Sequence, residues 1–144
     1  QLSGLPCSRP LGGQWSAIVA RMSTAPESLA GMSLEWTGRH HSRQGDFTDL
    51  SSHTVTYETE TTDYVTVAGK LVGVGPYEYV RLDEQVGVVT YYPQEYQGLA
   101  NVVLRAILNF AEGTDRAVIE HEGKTFAVAD GTFRQVPTPA KPAS

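Results

Sequence analysis

The feature that most constrains this chain is alternation. Across residues 52–60, His53, Val55 and Tyr57 fall on one face, while Thr54, Thr56 and Glu58 fall on the other. That is the two-residue period of a half-buried strand. Short strands of the same kind are predicted over 33–37, 63–67, 77–82, 86–92, 102–110, 116–121, 125–129 and 132–136. Between them lie turn signals: Asp83-Glu84-Gln85, Glu112-Gly113-Thr114-Asp115, Glu122-Gly123 and Asp130-Gly131. Turns at that spacing make an antiparallel meander. Residues 38–49 and 93–98 read as polar loops, and Gly69, Gly73 and Gly75 as bends or bulges at a barrel corner. Leu99, Val103, Ala106 and Phe110 also fit helical spacing. The Val102-Val103 pair and the turn that follows favour a strand. The fold class is therefore all-β, and a barrel of about eight strands has an interior just wide enough for one small ligand.

Composition narrows the function classes. The 144 residues suit one domain, and the net charge is -5, with eleven Lys and Arg scattered rather than clustered. Nucleic acid requires a basic footprint and a polybasic membrane contact requires a basic run, so neither is an expected partner. The lone cysteine, Cys7, permits no internal disulfide. No apolar run reaches the roughly 20 residues of a membrane helix, and no basic-then-apolar leader is visible. A cytoplasmic location is expected. Residues 1–28 read as a partly flexible extension, with Met22 resembling a natural start or, equally, with Trp15 and Ile18 anchoring an arm across the barrel. The barrel is expected over 29–136, and the proline-containing tail 137–144 is expected to be disordered.

Several residues invite chemistry. Tyr77, Tyr79 and Arg81 share one strand face, so they offer two phenols and a guanidinium to a cavity or, equally well, to an outer edge. Glu35 and His53 alternate with apolar neighbours; turned inward, either would have a shifted pKa and serve as acid or base. The expected catalytic set is thus Tyr79, Arg81, His53 and Glu35. Trp36, Tyr57, Tyr77, Tyr91, Tyr92, Leu104, Phe126 and Phe133 are expected to line the ligand site. His40-His41, between Arg39 and Arg43, lacks a third ligand at metal spacing and reads as loop. Gly69-x-x-x-Gly73-x-Gly75 lacks the ending of a phosphate loop. No metal and no cofactor is expected.

Residues 29–36, Leu-Ala-Gly-Met-Ser-Leu-Glu-Trp, resemble the opening "L-x-G-x-x-L/F" of the calycin-like barrels of the phenolic acid decarboxylase and MoaF-like group. Residues 53–58 are similar to their second strand, and Val86 to Pro93 to their "I-x-x-S-W-x-E-P" strand. The resemblance, over about residues 29–136, implies a small antiparallel calycin- or lipocalin-like barrel. The decarboxylase residues are not retained: Trp36 and Gly38 stand at the paired tyrosines, Pro93 near the glutamate, and residues 70–75 contain no arginine. That decarboxylation is not expected. The scaffold implies instead a cofactor-independent lyase, isomerase or cyclase acting on a hydrophobic, polyketide-like or aromatic acid substrate. The alternative is a non-catalytic carrier, and a third reading is a filled barrel serving as an interaction module. Beyond the small molecule, the only partner expected is a second copy in a homodimer.

Overall fold

The computed structural model describes residues 24–45 and 51–143. Met22, Cys7, Trp15 and Ile18 lie outside them. Eight strands follow in chain order: β1 (Ser33–Ser42), β2 (Ser52–Tyr57), β3 (Thr62–Val67), β4 (Lys70–Arg81), β5 (Val86–Tyr91), β6 (Val102–Asn109), β7 (Thr114–His121) and β8 (Lys124–Val136). Each pairs antiparallel with the next, and β8 returns to β1, so the sheet closes into an eight-stranded antiparallel barrel. The described residues include no helix, and hence none long and apolar enough to cross a membrane.

Closure explains the main differences from the alternation pattern. Residues 38–42 are not loop: they continue β1, paired with residues 127–131 of β8. Their polarity belongs to the outward positions, and His40 is the buried one. Asp130-Gly131 is not a turn either, since β8 runs through it for 13 residues. Gly131 and its cross-strand partner Gly38 exist for the indole of Trp36. A Cβ on Gly131 would lie 2.6 Å from that ring and 2.3 Å from the Thr37 carbonyl oxygen. β4 likewise begins earlier than expected, at Lys70, and absorbs Gly73 and Gly75 beside a bulge in its pairing with β3. The segment 99–110 is strand from Val102 onward.

One end of the barrel is shut. Leu29 is fully buried, the Ala25 amide donates to the Glu84 carbonyl, and the Tyr79 hydroxyl donates to the Pro26 carbonyl. Residues 24–32 thus plug the end that also carries the β2–β3, β4–β5 and β6–β7 turns. The tail, expected to be disordered, has anchors: Ser33 Oγ donates to Thr138 Oγ1, and Lys141 pairs with Glu58.

Candidate functional site

Above the plug the barrel is hollow. A cavity of about 630 Å³ runs toward the opposite end, where residues 93–98 and 71–76 border it. An eight-stranded barrel either fills its interior with side chains or leaves room for one small ligand. Here the inward positions of β6, β7 and β8 above the plug include Ala106, Ala117 and Ala129, whose small side chains leave the space.

The polar groups in this apolar wall are few. Asp63 opens β3 on the same face as Val65 and Val67, and Asp115 opens β7 on the same face as Ala117. Asp63 is 7% exposed. Neither carboxyl has a hydrogen bond or an ion pair among the described residues. Loss of water is the cause that pushes each one's pKa up to about 7. Close enough to feel both carboxyls is a phenol pair, the Tyr57 and Tyr91 hydroxyls, which share a hydrogen bond. Burial pushes both phenols well above their ordinary range, and the nearby Asp115 and Asp63 charges add to the shift. Both stay protonated at any physiological pH.

The other wall is aromatic and imidazole. Trp36 lies 4.9 Å from the His40 ring and 5.1 Å from the His53 ring, and its indole N–H donates to the Asp115 carbonyl at 3.2 Å. The tryptophan therefore ties β1 to the strand that carries a cavity carboxyl. Among the described residues, no group of three or more His, Cys, Asp or Glu is placed to hold a metal ion.

Of the residues singled out from the sequence, His53, Trp36, Tyr57, Tyr91, Leu104 and Phe133 line the cavity together. The others lie elsewhere. Tyr77 and Tyr79 do point into the barrel, but below the cavity. Tyr77 packs edge-on against Tyr57 and donates to the Thr59 carbonyl, while the Tyr79 ring lies over Gly87 at the plug. Burial raises both phenols to about 12. Arg81 pairs with Glu27 at the shut end, and Glu35 faces outward to Arg134. Tyr79, Arg81 and Glu35 thus stand outside the cavity wall. Tyr92 is exposed and donates to Glu78. Phe126 packs against His121, away from the cavity wall.

Sequence reasoning missed Asp63, Asp115 and His40. The signal existed for the aspartates, since alternation puts Asp63 in phase with Val65 and Val67, and Asp115 in phase with Ala117 and Ile119. Asp115 was read as a turn residue, as an aspartate beside a turn ordinarily is, and Asp63 as the first residue of a strand without a role.

Neither a protein-family model nor a curated protein matches the sequence. Among solved structures, the barrel is similar to a candidate beta-lactamase from Burkholderia vietnamiensis. The TM-score is 0.55 at 16% identity, over 75% of this chain and 95% of that one. At that identity the likeness speaks to the fold alone, and the fold it supports is the closed antiparallel β-barrel.

Proposed function

We propose that this barrel is a cofactor-independent acid–base enzyme of the isomerase, lyase or cyclase type, acting on a hydrophobic small molecule held in the cavity. The observation that carries the reading is two carboxyls, each near pKa 7 and without a partner among the described residues, inside an aromatic wall. General acid–base catalysis is most effective when the group's pKa lies near the working pH. At neutrality one aspartate serves as acid toward a carbonyl or enol oxygen while the other, ionised, takes a proton from carbon. The Tyr57–Tyr91 pair, held neutral, offers hydrogen bonds to the same oxygen. The walls contribute by holding reacting atoms in a near-attack pose. A polyketide-like substrate remains compatible. An aromatic acid is disfavoured, because no Lys or Arg lines the cavity among the described residues to meet its carboxylate. The link to the phenolic acid decarboxylase and MoaF-like group stays an analogy of scaffold and strand order.

The competing reading is a carrier, and solvent deuterium separates the two. Hydrophobic aryl ketones that bind the protein are held in D2O and their α-protons followed by NMR. The wild type is expected to accelerate exchange at least tenfold over buffer, and Asp63→Asn and Asp115→Asn to abolish the gain while retaining binding. Ketones that bind without accelerated exchange would establish the carrier instead.

A further inference from the structure

We propose that the molecule this cavity takes carries a protonated amine on a lipophilic aromatic or aliphatic body, with the Asp63 and Asp115 pair supplying its counter-ion. The inference rests on the reading of the cavity as the ligand site and not on the acid–base step assigned to it.

Charge balance is the starting point. Arg81, Arg105, Arg116, Arg134 and Lys141 each pair with a carboxylate, at Glu27, Glu120, Asp130, Glu35 and Glu58. Those carboxylates lie along the outer surface or the shut end. The two inside the barrel have no cation among the described residues. A buried carboxylate is costly unless it is paired or hydrogen-bonded. Asp63 is nearly inaccessible and makes no such bond among the described residues, yet it borders a volume large enough for an organic guest.

The wall around the pair suits a cation as well. Trp36, Tyr57, Tyr91 and Phe133 all line the cavity, and aromatic faces attract cations through their ring quadrupoles. At pH 6, where both carboxyls are largely protonated, an entering ammonium displaces the proton of the carboxyl it meets and leaves the other carboxyl its own. The bound state then holds one carboxylate against one ammonium, with one carboxylic acid still able to donate. The proton released goes to solvent, so the step balances. The other titratable groups on the cavity wall are His40 of β1, His53 of β2, and Glu95 and Tyr96 of the mouth, beside the Tyr57 and Tyr91 phenols.

Three probes of one shape test this by calorimetry: 2-naphthylmethylamine, 2-naphthylmethanol and 2-naphthoate. At pH 8 the amine is expected to bind at least tenfold more tightly than the alcohol, and the carboxylate weakest. The amine, but not the alcohol, is expected to gain about tenfold between pH 6 and pH 8, as a group titrating near 7 becomes ionised. In buffers of different ionisation enthalpy at pH 6, it should release close to one proton. The double variant Asp63→Asn/Asp115→Asn should keep the alcohol while losing both the amine preference and its pH dependence, which separates the aspartates from His40 and His53. Equal binding of amine and alcohol at pH 8, or an amine preference that survives the double variant, overturns the inference. Either result leaves ketone exchange, and with it the acid–base reading, standing. Failure of all three probes to bind overturns the inference together with the cavity as a ligand site.

Discussion

Asp63 and Asp115 leave water in this fold without gaining a cation among the described residues, and the cost has a sign that can be measured. A carboxyl whose folded pKa is raised binds its proton more tightly in the native state than in the unfolded chain. Between the unfolded value near 4 and the folded value of about 7, the native state therefore holds more protons, and stability falls as pH rises through that window. The wild type is expected to melt higher at pH 5 than at pH 8. Asp63→Asn should flatten the trend, gaining on the order of 1–3 kcal/mol at pH 8 and little at pH 4, as followed by thermal denaturation across pH. At this scale the sequence was legible only in part. Alternation put His53, Val55 and Tyr57 on one face, and in the barrel that face lines the cavity. Asp115 did not stand out, because an aspartate after Glu-Gly-Thr satisfies every rule for a turn. Its burial follows from closure of a sheet by partners far away in sequence.

The strands themselves were more legible than their ends. β2, β3, β5 and β6 fall close to where alternation puts them, because each has one face on the core and one on solvent. β1 and β8 were underestimated. The upper half of β1, polar on the outside, pairs with residues 127–131 of β8 across a separation that no local pattern reports, and β8 runs on through Gly131 between β1 and β7. Gly131 misled for a related reason: it reads as a turn glycine but serves a close ring contact. The two-residue turns that join consecutive strands are Ala68-Gly69 and Glu122-Gly123, whose residues have φ of 50° and 80°, and 52° and 82°; Gln97-Gly98, in the loop before β6, has the same form at 53° and 78°. Positive φ at both central positions is the hairpin geometry that favours Asn-Gly. Alanine at 68 is therefore strained, and Ala68→Asn is expected to raise stability by about 0.5–1 kcal/mol in urea denaturation, with binding in the cavity unchanged.

At the scale of the whole molecule, the antiparallel barrel expected from the meander and the family resemblance is the one found. Counting turns gives eight or nine strands. Whether the first meets the last is a matter of shear and tilt, which no single residue encodes. Here it does: Ser33 lies opposite Val136. The strand number is even, so the chain enters and leaves the barrel at the same end, and that end is the plugged one. The molecule accordingly has a polarity. One pole gathers the backbone coming in and going out, and the other is given over to exchange with the surroundings. A body fused or surface-tethered after residue 143 would sit behind the barrel, leaving the mouth to face outward. Because the incoming and outgoing strands are neighbours, a short peptide can join the two flanks. The chain can then be reopened at Glu122-Gly123 without removing a strand. Such a permutant is expected to regain the same barrel, as judged by circular dichroism and by undiminished naphthyl probe binding. It would exchange which pair of strands closes the cylinder last.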